Sequence, residues 1–131
     1  MVQTFTEKKI NNSKNNAPLS GIRILAISQF GAGPFATLLL SDLGAEIIKI
    51  EDPLSEGDVA RKVPPFVFEG DSTYFQTFNR GKKSIALDFR TIEGRKIFED
   101  LVRKSDVVFN NLRGDLPEKL GTLLSILLKK N

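Results

Sequence analysis

Ile22-Arg23-Ile24-Leu25-Ala26-Ile27-Ser28 runs through Gln29-Phe30 into Gly31-Ala32-Gly33-Pro34-Phe35-Ala36, and this junction of an apolar run with a glycine turn decides the fold. A short, mostly apolar run bounded by a turn signal reads as a buried strand. Pro34 suits the opening turn of a helix, where its missing N–H has no intrahelical acceptor. The segment Pro34 to Leu43 therefore reads as a helix. Phe35, Leu39 and Leu43 recur at i, i+4 and i+8, flanked by Ala36 and Leu40, and form the stripe expected to face a sheet. Gly44 supplies the left-handed residue that ends it. A second strand, Glu46-Ile47-Ile48-Lys49-Ile50, follows and ends at Glu51-Asp52.

Downstream the alternation continues. Asp52 to Gly70 carries Pro53, Gly57, Pro64 and Pro65 with no sustained period, and is expected to be a long irregular excursion. The aromatic residues Phe66, Phe68, Tyr74, Phe75 and Phe78 are expected to pack part of it down. Ser84 to Phe89 reads as a strand with Ile85, Leu87 and Phe89 on one face. Thr91 can cap the next helix, with Glu93 in its first turn and Ile97, Phe98, Leu101 and Val102 as the buried stripe. Val107-Val108-Phe109 is the next strand. Asp115-Leu116-Pro117-Glu118 reads as a cap opening a one-turn helix to Gly121, and a last helix is expected over Leu123 to Lys130. Strands alternating with helices imply an α/β fold: a Rossmann-like parallel sheet with helices on both faces. Such sheets bind ligands beyond the carboxyl ends of their strands. Gln29 to Gly33, Asp88 to Arg90 and Asn110 to Gly114 should converge there.

Composition narrows the chemistry. The 131 residues contain neither His nor Cys, which removes Ser-His-Asp and Cys-His catalysis, disulfides and the usual zinc ligands. The net charge of +3 is dispersed among acids and gives no nucleic-acid footprint. No apolar run reaches the roughly 20 residues of a membrane span. Residues 1–18 read as a polar, disordered leader with no signal-peptide centre, and residues 19–131 as one domain. A cytoplasmic protein is expected.

The glycine turn admits two ligands. Gly31-x-Gly33-x-x-Ala36 followed by Glu51 about 20 residues on matches the dinucleotide fingerprint, with Glu51 as the ribose-binding acid. Against an NAD-dependent dehydrogenase stand Pro34, which removes a donor from the pyrophosphate cradle, and the lack of a hydride-transfer constellation. The run Asn79-Arg80-Gly81-Lys82-Lys83 is either a solvated turn or a clamp for a phosphate ester. Asn110-Asn111-Leu112-Arg113 either lines a pocket or anchors a turn.

Six blocks in order carry a more specific reading. They are Leu19 to Leu25, Ala32 to Ala36, Asp42 to Glu51, Asn79 to Asp88, Glu93-Gly94-Arg95, and Ser105 to Val108 with Asn111-Leu112-Arg113. From about Pro18 to Gly121 the chain resembles the N-terminal portion of the class III CoA-transferases, the family of formyl-CoA transferase, carnitine CoA-transferase and α-methylacyl-CoA racemase. The excursion from Asp52 to Thr77 resembles the transferase branch more than the racemase.

The resemblance implies coenzyme A as the substrate, with no permanently bound cofactor and no metal. It implies an acyl-CoA and a carboxylic acid as partners and a homodimer for the full-length member. By matched position Gly31 and Ala32 flank the acyl group, Leu87 and Arg90 lie near the nucleotide, Asn111 and Leu112 contact pantetheine or adenine, and Lys119 pairs with a phosphate. It also implies covalent transfer through an aspartyl nucleophile placed beyond Asn131, so this incomplete domain is expected to be inactive alone. Asp88 is then structural or ligand-adjacent, and Asp106 a turn residue. Gly31 stands where formyl-CoA transferases carry Gln, and Lys119 where Arg is common. Leu123, Leu124, Ile126, Leu127 and Leu128 are expected to lack packing partners and to favour aggregation. The alternative is a stand-alone nucleotide or CoA-binding module without catalysis.

Overall fold

A computed structural model describes residues 17–119 of the chain. The leader up to residue 16, the helix expected over Leu123 to Lys130 and its unpartnered leucines lie outside the described residues. The elements are β1 (Arg23–Ile27), α1 (Ala32–Asp42), β2 (Glu46–Glu51), β3 (Val67–Phe68), β4 (Asp71–Ser72), α2 (Thr73–Asn79), β5 (Lys83–Ala86), α3 (Ile92–Val102), β6 (Val107–Asn110) and α4 (Leu116–Lys119). β5, β2, β1 and β6 pair in that order, all in parallel. The order reverses on either side of β1, so the carboxyl end of β1 is the switch point where such sheets open a crevice.

Alternation along β1 and β2 sends successive side chains to opposite faces. Leu25, Ile27 and Ile50 join Leu87, Phe89 and Phe98 of α3 on one face, where Phe89 and Phe98 meet edge to face at 5.0 Å. Ile24, Ala26, Ala45 and Ile47 meet Leu40 of α1 on the other. Gly44, at φ +98°, closes α1 as expected, and Thr91 Oγ1 caps α3 by accepting from Gly94 N at 3.0 Å.

Several expectations are corrected. α1 starts at Ala32 and buries Gly33, Pro34, Thr37 and Leu38. Phe35, Leu39 and Leu43 are half-exposed. The face turned inward is one step round the helix, because Thr37 satisfies its own hydroxyl by donating to the Gly33 and Pro34 carbonyls at 3.1 Å each. In α3, Phe98 is buried while Ile97 is half-exposed. β5 ends at Ala86, since Leu87 and Phe89 lie past the ladder yet reach the core. The excursion after β2 is ordered: it holds two 3-10 turns, Pro53–Ser55 and Val59–Lys62, then the β3–β4 hairpin and the short helix α2. Asp52 and Asp58 cap the two turns by accepting from Leu54 N and Ala60 N at 2.9 Å.

Two buried ion pairs pin that excursion to the sheet. Lys49, 1% exposed, meets Asp58, 2% exposed, at 2.7 Å, and also donates to the Ser28 carbonyl at 2.5 Å. Glu51, 6% exposed, is gripped by Arg61 through two bonds of 2.8 and 2.7 Å. Ser84 Oγ and Asp58 N donate to it at 2.6 and 2.8 Å. Arg61 in turn reaches Asp71 at 2.7 Å and lies 3.9 Å over the Phe75 ring.

Removing one partner of a buried pair strands the other charge, at a cost of about 3–5 kcal/mol. Lys49→Met should therefore lower unfolding free energy by that amount in urea titrations, far more than Lys83→Met at the exposed sheet edge. Burial alone would raise the Glu51 carboxyl, but the bonds from Arg61, Ser84 and the Asp58 amide together hold it at about 2, against an ordinary 4.5. Its stabilisation, about 3 kcal/mol by linkage, is present above pH ~4.5. It should be lost as pH falls toward 2, and Glu51→Gln should flatten the stability profile across that window.

Candidate functional site

The carboxyl edge of the sheet holds a cleft of about 320 Å³. Ile27, Ile50, Leu87, Phe89 and Leu116 wall it, and Gln29, Asp52 and Arg90 supply its polar groups. An apolar slot with a few convergent polar groups is the usual form of a small-molecule site. The ends of β1, β2 and β5 meet here with α4, as the alternation of strands and helices predicts. Of the expected binding residues, Leu87 and Arg90 line the cleft.

The others stand apart from its walls. Gly31 is the N-cap of α1, with no side chain capping the helix, so the first amides, beginning with that of exposed Ala32, are donors without a side-chain acceptor at the positive end of the helix dipole. Leu112 packs on the Phe98 core. Lys119 Nζ is taken by Asp115 at 3.0 Å. Asn111 anchors a turn: its carboxamide accepts from Gln29 N at 3.1 Å and donates to Gln29 O at 3.3 Å. Its own amide donates to Ile27 O at 3.3 Å. Asp106 accepts from Arg23 N at 2.8 Å, consistent with a turn residue.

The glycines of the turn are explained by their neighbours. A Cβ on Gly33 would stand 2.5 Å from Asn111 Cγ, and one on Gly31 would stand 2.8 Å from the Tyr74 hydroxyl. Phe30 adopts φ +68°, a conformation that is costly for a bulky side chain. Asp58 Oδ1 holds it by accepting from Phe30 N at 3.0 Å, and Tyr74 stacks on its ring at 5.2 Å. Tyr74 and Asp58 are site-shaping residues that sequence reading missed. Tyr74 was legible only as part of an aromatic cluster, and Asp58 lay in a segment without periodicity.

Glu51 does not reach the cleft. Its carboxylate bonds go to Arg61, Ser84 and Asp58 N, so the acid at the fingerprint position does not serve a ribose in the cleft. The basic run is largely the solvated turn, with Arg80 and Lys83 exposed, and its cations are paired rather than held open as a clamp. Arg80 pairs with Asp42 at 2.7 Å and Lys83 with Glu46 at 2.5 Å. Lys82 donates to Pro34 O, Thr37 Oγ1 and Asn79 Oδ1 at 2.8, 2.9 and 3.1 Å, tying α1 to α2. Burial, with repulsion from Lys49, lowers its amine to about 8. Among the described residues no group of three or more acids forms a metal site, and no helix is long and apolar enough to cross a membrane.

Gly31 has an ordinary φ of −116°, so only the Tyr74 hydroxyl opposes a side chain there. Gly31→Ala should destabilise the chain by about 1–3 kcal/mol in thermal melts, and Tyr74→Phe should recover most of that loss. Additive effects of the two changes would show that the contact is not the cause.

Residues 19–131 match the model of CoA-transferase family III. Succinyl-CoA:mesaconate CoA-transferase of Haloarcula hispanica is 45% identical over 105 residues, covering 77% of this chain and 26% of its own. Human succinyl-CoA:glutarate CoA-transferase is 40% identical over 119 residues, covering 91% and 26%. A CAIB/BAIF family protein from Brucella suis superimposes with a TM-score of 0.80 at 40% identity, covering 89% of this chain and 32% of that one. The chain thus spans about a quarter of the length of these curated relatives. With a matching model over nearly the whole chain, a matching fold and a cleft at the switch point, the chain belongs to CoA-transferase family III.

Proposed function

We propose that this chain is the CoA-binding part of an enzyme that moves CoA between an acyl-CoA and a carboxylic acid. The observation that carries the reading is the cleft beside β1, where Leu87 and Arg90 meet while Glu51 is sealed away from it. A nucleotide fits such a slot, and the acid of the dinucleotide fingerprint, Glu51, does not face it. The nucleoside end of CoA lies against Leu87 and Arg90. The thioester lies by Gly31 and Ala32, where uncapped helix amides stabilise a developing oxyanion. Asn111 positions that turn through Gln29, Leu112 backs the pantetheine arm, and Lys119 exchanges Asp115 for a phosphate.

In the proposed reaction an aspartate carboxylate, supplied from outside the described residues, attacks the acyl carbonyl and expels CoA thiolate, leaving a mixed anhydride. The thiolate then attacks the aspartyl carbonyl, releasing the first acid and forming an aspartyl-CoA thioester. The acceptor carboxylate attacks the aspartyl-CoA thioester and expels the thiolate to give a second anhydride. The thiolate then attacks the acceptor's carbonyl, forming its CoA thioester and restoring the aspartate. Covalent catalysis divides one hard exchange into easier ones. The names of the relatives favour dicarboxylic acids of the succinate and glutarate type as acyl groups, and the enzyme acts as a homodimer.

Calorimetric titration tests the reading. CoA should bind this chain at least about tenfold more tightly than NAD, a gap of roughly 1.4 kcal/mol. The chain alone should transfer no CoA from succinyl-CoA to glutarate. Preferential binding of NAD would overturn the assignment.

A further inference from the structure

Arg90 is the cation at the mouth of the cleft, and two carboxylates already hold it. Its Nε donates to Asp88 Oδ1 at 2.6 Å and its Nη2 to Asp52 Oδ1 at 2.5 Å. The two acids play different parts. Asp88 is a local partner that also accepts from the Arg90 amide at 2.9 Å. Asp52 comes from the end of β2, 38 residues away, and shares the cleft wall with Arg90. The other nearby cation, Arg95 of α3, is spent on backbone, donating to the Phe89 and Arg90 carbonyls at 2.6 and 3.4 Å. Arg90, Asp52 and Asp88 thus carry a net charge of −1 at the mouth, where a phosphate would have to sit.

A phosphate that seeks Arg90 must take it from Asp52. A hydroxyl or an amino group can instead donate to Asp52 and leave the pair intact. Both contacts of Asp52, to Arg90 and to Leu54 N, use Oδ1, so Oδ2 takes part in neither. We propose that Asp52 is a specificity-determining residue that competes with ligand phosphate for Arg90, biasing the cleft toward the nucleoside face of a nucleotide. The proposal rests on the cleft being a nucleotide site, as in the reading above.

The competition is that of a partly exposed ion pair, so its release is worth a few-fold in affinity rather than orders of magnitude. Asp52→Asn removes the charge yet retains an oxygen for the Leu54 amide, since Asn caps as well as Asp. Asp52→Ser is the second variant should the first fail to fold. Isothermal titration at low salt with AMP and with adenosine gives the readout, the ratio of their affinities. The ratio should rise about two- to fivefold in either Asp52 variant. It should fall below wild type when Arg90→Met is added. A ratio that is unchanged or lower in folded Asp52 variants overturns the proposal. Failure of both ligands to bind any form at millimolar concentration overturns it together with the nucleotide reading. If the ratio responds but CoA itself does not bind, Asp52 keeps this role and the CoA assignment fails.

Discussion

The ion pair between Lys49 and Asp58 is the constraint on which the rest of the molecule turns. Two opposite charges are removed from water between a central strand and a surface excursion, at a desolvation cost that their attraction and hydrogen bonds must offset. What they secure is geometry. Lys49 fixes the carbonyl at the end of β1, and Asp58 fixes the next turn by taking the amide of Phe30. A bulky residue is thereby kept in a left-handed conformation immediately before α1, and the helix starts where the sheet order reverses.

A second layer of control surrounds that first one. Arg61 joins Glu51, Asp71 and the Phe75 ring, so one guanidinium ties β2, β4 and α2 together. Lys82 joins α1 to α2 through three neutral oxygens. The glycine turn is thus bounded by packed side chains: Tyr74 on one flank and Asn111 on the other. The small residues of the turn are small because their neighbours are close, not because their backbone angles demand it.

Much of this was legible in the sequence. Apolar runs and glycine stops placed β1, α1 and β2, and the spacing of Thr91 and Phe98 placed α3, because local periodicity and capping are short-range signals. Strand ends converging on one edge followed from topology rules. The buried face of α1 was misread because a β-hydroxyl residue, Thr37, turned inward while Phe35 and Leu39 stayed half-exposed, an outcome set by tertiary contacts. Glu51 matched a fingerprint at the right distance, yet its fate was decided by Arg61, a residue in a stretch with no period. Arg90 was legible as a cleft residue, whereas its capture by Asp52 depends on two strand ends that meet only in three dimensions.

The bond between Asn111 and the Gln29 backbone joins segments 82 residues apart. β1 and β2 with α1 between them are local and can form early, but the end of β6 must cross the sheet and dock beside β1 before Asn111 reaches the turn. Contacts of such long sequence separation close late, because loop entropy is lost before they form. The glycine turn therefore gains its final shape only when the last strand has joined. The first strand–helix–strand unit by itself would carry the glycine motif without the Asn111 contact that shapes it.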